Sequence, residues 1–369
     1  MLSLMARTVV GMSGGVDSSL AAALVREAGH EVVGVTMQLW PCAEQDGGFT
    51  REDSCCSPSE TVDARSVAVG LGVRHYVVDF VERFRQNVVE SFADAYAKGQ
   101  TPNPCVRCNE KVKFGALWDY ARTVGAERVA TGHYARTTEF AGRWLLRKSV
   151  DVGKDQTYFL FSLTQEQLAH AEFPVGHLTK LQVREHARTR KLVTADKHES
   201  QDICFIGKDG VNGFLRRERP EAFAAGAIVH ENGTVLGEHT GLAAFTLGQR
   251  KGLGVAWSEP LFVTRLDVAT NTVVLGARSS LLVDSATLRD CTWHLDGLPA
   301  GGLDCLVRPR HRGAPVAARM VPADVHGEEG KPGAIVHYAE PQPRVNAGQA
   351  CVAYDLADEH CLGGGWFTA

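Results

Sequence analysis

The chain has 369 residues, of which 44% are hydrophobic and 22% charged, an ordinary make-up for a soluble globular protein with room for two or three domains. A net charge of −4 excludes a globally basic nucleic-acid-binding surface, so any RNA contact must be local. No apolar run approaches the ~20 residues that span a bilayer, and the opening MLSLMARTVVGM runs into a strand rather than a secretory signal, so a cytoplasmic location without membrane contact is expected.

In chain order, Thr8–Met12 predicts a strand, Asp17–Ala28 a helix and Glu31–Leu39 a second strand. Ser57-Pro58-Ser59-Glu60 is a helix start, with Pro in an N1-like position, and the helix runs to about Gly72. His75–Phe80 predicts a third strand, Val81–Lys98 a long amphipathic helix, and Gly99-Gln100-Thr101-Pro102-Asn103-Pro104 a break. Asn109–Gly125 is again helical and Arg128–Ala135 is a further strand. Strands separated by helices imply an α/β fold, a Rossmann-like parallel sheet covered on both faces. From about Cys204 the pattern changes to short β-rich pieces (Ala227–His230, Leu261–Leu266, Thr272–Leu275, Asp304–Arg308, Gly333–Tyr338, Gln349–Tyr354) between Gly, Pro and Asn-Gly turns. That is the signature of small antiparallel barrels or sandwiches, with Val325–Pro332 as a hairpin tip. The expected division is 1–205, a catalytic α/β domain; 206–282, a small β-rich domain; and 283–369, a C-terminal β-barrel.

The turn between the first strand and helix reads Gly11-Met12-Ser13-Gly14-Gly15-Val16-Asp17-Ser18-Ser19. Glycines allow close backbone approach there, hydroxyls add donors, and a helix N-terminus favours an anion. The motif lacks the Lys of G-x-x-x-x-G-K-[ST]; Asp17 instead puts a carboxylate beside the phosphate site, suited to holding Mg²⁺. The bland alternative is a tight Gly turn capped by Asp or Ser. The stretch resembles the SGGxDS loop of PP-loop ATP pyrophosphatases, which cleave ATP to AMP and pyrophosphate and so adenylate a substrate oxygen.

Ten cysteines are present. Cys291, Cys305, Cys351 and Cys361 fall on β-rich segments and read as buried apolar residues, and the vicinal pair Cys55-Cys56 as inert. Cys105-Val106-Arg107-Cys108 lies in a Pro-rich loop before a helix, where the helix N-terminus, Arg107 and Lys111 would lower a thiol pKa toward neutrality. Cys204, in His198-Glu199-Ser200-Gln201-Asp202-Ile203-Cys204-Phe205-Ile206, closes the first domain. Two such thiols over an ATP site suggest sulfur chemistry, one carrying a persulfide and the other releasing it by exchange. A redox C-x-x-C, a zinc half-site and unrelated thiols are the alternatives.

The segments GMSGGVDSS, VTMQLW, CCSPSETVDARSVAVGLGVRHYVVDF, TPNPCVRCNEKVKFG, ATGHYAR, GKDQTYFLFSL, ESQDICFIG, FTLGQRKGLG and GQACVAYD together resemble bacterial tRNA-specific 2-thiouridylases, in order from residue 11 to residue 355. The resemblance implies ATP binding by Gly11, Met12, Ser13, Gly14, Gly15, Val16, Asp17 and Ser18 with Met37 and Gly132. It implies Cys108 as nucleophile and Cys204 as the persulfide cysteine. Asn103, Pro104 and Cys105 would contact the target base; Cys105 stands where some members have Asp. His133, Lys154, Asp155, Gln156 and Gln349 would contact tRNA, as would Arg308-Pro309, which replaces an Arg-Tyr pair.

The implied reaction is 2-thiolation of a wobble uridine in the tRNA anticodon loop. The sulfur would come from a donor protein such as a cysteine desulfurase or sulfur relay protein, and the thiols would form a transient disulfide. Alternatives are a [4Fe–4S] route on Cys105, Cys108 and Cys204, a ligase that adenylates a carboxylate, and an RNA-binding or redox-sensing protein with a degenerate loop. Local basic runs for RNA are Arg184, Arg188, Arg190 and Lys191; Arg216, Arg217 and Arg219; and Arg308, Arg310 and Arg312.

Overall fold

The computed structural model describes residues 6–41, 58–198, 203–327 and 329–368. They fall into two compact units that do not follow chain order. One holds 1–89, 104–208 and 359–362, the other 90–103, 209–358 and 363–369. Cys42, Cys55, Cys56, Ser57 and the 199–202 part of the Cys204 segment lie outside the described residues.

The first unit is built on a five-stranded sheet in the order β3-β2-β1-β4-β7, formed by Arg74–Asp79, Glu31–Gln38, Arg7–Gly11, Arg128–Ala130 and Ala171–Glu172. The pairings are parallel, with Val9 opposite both Val33 and Val129. Val9 and Val10 point to opposite faces and both are fully buried, so the central strand is covered on both sides, as its unbroken apolar run requires. Helix α1 (Val16–Glu27) lays Leu20, Ala21, Ala22 and Val25 into a core shared with α2 (Pro58–Leu71) and α3 (Lys180–Thr189). Its alanines allow close packing on the sheet. A capping box between Thr179 and Gln182 starts α3.

Three expectations shift. The helix expected over Val81–Lys98 passes through a π-helical turn at Arg85–Glu90, and the one expected over Asn109–Gly125 is π-helical from Cys108 to Ala116. Apolar spacing does not distinguish i→i+5 from i→i+4 bonding, so the wider turns are invisible in the sequence. The strand expected over Arg128–Ala135 ends at Ala130. The chain turns at 131–134 and enters a hairpin of β5 (Ala135–Phe140) and β6 (Arg143–Lys148), joined by Ala141 and Gly142 at φ 50° and 76°.

In the second unit, β10-β11-β8-β9 (Phe262–Asp267, Thr272–Gly276, Gly226–His230, Val235–His239) form a four-stranded sheet over Ile228, Val263, Val273 and Leu275. One pair, β8 with β11, is parallel rather than antiparallel. The C-terminal strands run β12-β15-β14-β13-β16-β17 (Leu282–Trp293, Gly333–Pro343, Val316–Ala323, Leu303–Arg308, Ala350–Tyr354, His360–Phe367), and β12 also pairs with β17, closing a barrel. Cys291, Cys305 and Cys351 are buried inside it, and burial pushes the Cys291 and Cys305 thiols up to about 12. They are the inert apolar cysteines that the sequence suggests. Leu20→Ala removes a fully buried side chain from the face that α1 presents to the sheet, and is expected to lower stability by about 2–5 kcal/mol, read as a lower urea midpoint for the first unit.

Candidate active site

The glycine turn sits at the carboxyl end of β1, where parallel sheets open their ligand crevice. Its entry is pinned to β2: Met12 N–H donates to Val35 O (2.8 Å), the Thr36 hydroxyl donates to Met12 O (2.8 Å), and His75 Nε2 lies 2.9 Å from that hydroxyl. The turn then closes on itself. Ser13 N–H donates to Ser18 Oγ (3.1 Å), while the Ser18 and Ser19 hydroxyls donate to Gly15 O (3.1 and 2.9 Å). Gly14 has φ 74°, and a Cβ there would fall 2.2 Å from Glu60 O. At Gly132 a Cβ would fall 2.5 Å from Ser18 N and 2.6 Å from Asp17 C, so only glycine lets this loop reach the first turn of α1. At Gly15 an added Cβ meets only Ser13 Oγ, at 3.6 Å. The resulting cradle, at the N-terminus of a 12-residue helix, suits a polyphosphate. Met37 is half-buried toward the carboxyl end of β2, beyond Val35, the partner of Gly11.

Asp17 is engaged by protein partners. Lys180 Nζ lies 2.8 Å from both carboxylate oxygens, and the Tyr134 hydroxyl donates to Oδ1 at 2.8 Å. A second pair flanks the turn, where Lys197 reaches the buried Glu60 (2.8 Å) and also Asp63. Lys180, Tyr134, Glu60 and Lys197 are not among the site residues that the sequence points to, because they converge from distant segments. One signal was available: Lys180 opens a helix, where the macrodipole disfavours a cation.

Pro104 starts a short helix, Pro104–Arg107, and Cys108 opens the π-helix. Gln167 Nε2 donates to Glu110 O (3.1 Å) and Phe114 O (2.9 Å), and Asn109 Nδ2 donates to Phe159 O (3.0 Å), so side chains hold the wide turns. Arg107 and Lys111 do not face the thiol alone, because the buried Glu110 carboxylate takes both, at 3.4 and 3.2 Å. Cys105 is exposed, Cys108 buried and Cys204 half-buried. Phe205, next to Cys204, packs with Trp40 and Phe84, centroids 6.3 and 5.9 Å away. Among the described residues no three His, Cys, Asp or Glu side chains gather as metal ligands.

Asp155 is half-buried, and the desolvation pushes its carboxyl pKa up, while its oxygens accept from Ser149 N–H (2.9 Å) and Thr157 Oγ1 (2.5 Å). Gln156 braces Tyr134 through both backbone and side chain, each at 2.9 Å. Lys154 is half-buried in the adjoining turn, Val152–Lys154. His133 is buried, its Nδ1 2.8 Å from Thr131 Oγ1 and its ring against Phe114 and Phe173.

In the second unit, Asn103 and Pro309 are half-buried, and Gln349 Nε2 donates to Thr101 O (2.7 Å). Arg308 donates to Asp358 and Gly313 O, both at 3.0 Å, over the Tyr354 ring. Of the other basic runs, Arg188 and Arg190 are paired with Asp196 and Glu27, Arg217 and Arg219 with Asp209 and Asp94, and Arg184 binds two carbonyls. Arg216 stacks on Phe223, whereas Arg310 and Arg312 are exposed.

Three family models match in sequence: a tRNA methyl transferase HUP domain over 6–208, a tRNA methyl transferase PRC-barrel domain over 212–277 and an aminomethyltransferase beta-barrel domain over 283–367. A tRNA-specific 2-thiouridylase of Parvibaculum lavamentivorans is 45% identical over 98% of this chain and 90% of its own length. One from Maricaulis maris is 44% identical over 98% of this chain and 87% of its own. A solved 4-thiouridine synthetase–RNA complex with bound ATP matches at a TM-score of 0.35 and 15% identity, over 58% of this chain and 51% of that one.

Burial, with the nearby Lys113 charge, holds the His133 pKa well below the usual 6.5. The unfolded chain therefore takes up a proton that the folded state refuses. This contribution to stability is complete above about pH 6.5 and is lost as the pH falls below it. Between pH 7 and 5.5 the melting temperature is expected to fall more steeply for the native chain than for His133→Gln.

Proposed function

The chain belongs to the tRNA-specific 2-thiouridylase family, and we propose from its geometry how ATP-dependent thiolation of the wobble uridine proceeds on it. The 2-oxo oxygen of uridine is a poor leaving group. Its attack on the α-phosphorus of ATP expels pyrophosphate and makes it part of an AMP ester. Sulfur then adds at C2, AMP departs with the bonding pair, and C=S remains. Gly11–Ser18, Met37 and Gly132 hold the nucleotide, with helix N–H groups facing the departing pyrophosphate. Mg²⁺ carried in with the phosphates would take Asp17 as its protein ligand and add positive charge there.

Cys204 carries the terminal sulfur as a persulfide. That sulfur attacks C2, and the Cys108 thiolate attacks the Cys204 sulfur, releasing the thiocarbonyl and leaving a Cys108–Cys204 disulfide for an external thiol to reduce. The sulfur comes from a donor protein, a cysteine desulfurase or relay protein. Asn103, Pro104 and Cys105 face a base splayed from the anticodon loop. Gln156 keeps the Tyr134 loop in shape, Asp155 holds the turn from Ser149 to Thr157 and His133 is anchored on Thr131, with Lys154 and Gln349 toward the RNA.

Residues 1–205 carry out catalysis in the cytoplasm, and 206–282 and 283–369 serve tRNA binding. In the last segment Arg308 is an internal strut for Pro309 and its neighbours, and Arg310 and Arg312 meet phosphates. The observation that carries the proposal is the grouping of the glycine turn, Cys108 and Cys204 in one compact unit. A carboxylate ligase would have no use for that pair of thiols.

With ATP, Mg²⁺, a persulfide donor and tRNA, mass spectrometry of digested tRNA is expected to show 2-thiouridine. Cys108→Ser and Cys204→Ser should each reduce it to background while Cys105→Ser keeps most of it; equal loss in all three variants would overturn the roles given to the thiols. Arg310→Ala should lower the salt dependence of tRNA binding by about one unit of slope, whereas Arg308→Ala should lower the melting temperature instead.

A further inference from the structure

The glycine turn has no lysine of its own, yet one reaches it. Lys180, the first residue of α3, extends to the second residue of α1 and holds both Asp17 oxygens. Its side chain is 12% exposed and Asp17 is 28% exposed, so the pair is largely withdrawn from water. Its backbone N–H is fixed by Asp151 Oδ2 at 2.9 Å, and its ammonium lies 5.7 Å from the centre of the Tyr134 ring. A lysine in a first helical turn opposes the local dipole, and one desolvated there has to be held by a partner anion. Asp17 is that anion in this structure, but a carboxylate closed by an ammonium and a phenol hydroxyl has little left to offer a metal ion.

We infer that Lys180 is a phosphate-binding residue that exchanges Asp17 for the β- and γ-phosphates when ATP enters. The inference rests on the turn being the ATP site. The arriving polyphosphate gives the ammonium a stronger anion within the same cradle. The carboxylate so released becomes available to the Mg²⁺ that the nucleotide brings. Lys180 thus does the work of a P-loop lysine from a helix about 160 residues further along the chain, and Asp17 and the phosphates alternate as its partner. Tyr134, braced by Gln156, keeps its bond to Asp17 and holds the carboxylate in position during the exchange.

The test is nucleotide binding to the full chain by calorimetry with Mg²⁺, using a non-hydrolysable ATP analogue, pyrophosphate and AMP. Lys180→Met is expected to weaken the ATP analogue and pyrophosphate by about ten- to a hundredfold, the range of one charge-assisted hydrogen bond, and to leave AMP within about twofold. Lys180→Arg, which keeps the charge, should recover most of the loss. Equal weakening of AMP and the ATP analogue, or no weakening of either, overturns the inference while the ATP site stands. No binding of the ATP analogue by the folded native chain overturns both. If Lys180→Met does not fold, the same ratio is read from Lys180→Gln.

Discussion

The site depends on two backbone contacts that leave no room for a Cβ. Gly132 lies against the Asp17–Ser18 peptide, and Gly14 against the carbonyl of Glu60. The first ties the loop after β4 to the start of α1, and the second ties the turn to α2. Between them the turn is clamped before any ligand arrives, and the serine bonds to Gly15 O complete a rigid ring. Preorganisation of this kind spares an anion the ordering cost that a flexible glycine loop would impose. It also gives Gly132 a packing role independent of nucleotide contact.

A clamp made partly of carboxylates would repel phosphate unless neutralised. Both acidic groups beside the turn carry a lysine, Lys180 on Asp17 and Lys197 on Glu60. Both lysines come from the stretch that begins α3 and ends just before Cys204. That stretch therefore supplies charge balance to the glycine turn as well as packing, through Val183 and Ala187, to the core. Breaking a withdrawn ion pair from one side leaves an uncompensated charge, which makes such pairs suited to exchange with an incoming ion and poorly suited to simple loss.

Charge elsewhere is spent differently from what the sequence suggests. Most arginines in the apparent basic runs are committed to carboxylates or carbonyls within their own unit, Arg308 on Asp358 and Arg190 on Glu27 among them. An arginine count along the chain measures potential RNA contacts only after these internal partners are subtracted. Likewise Glu110 pairs with both cations near Cys108, Arg107 and Lys111.

The sequence by itself determined the parallel α/β unit, the glycine turn at the end of β1 and the β-rich pieces from Ala227 onward. Each of those is local: apolar periodicity, glycine placement and short motifs act over a few neighbouring residues. Only the tertiary structure decided that Lys180 meets Asp17, that Gln156 braces Tyr134, that Glu110 shares Arg107 and Lys111, and that residues 90–103 join the second unit. Those pairings link segments far apart in the chain or depend on the pitch of a helical turn. Their energy comes from desolvation and geometry created when the elements pack, for which a linear pattern of residues has no counterpart.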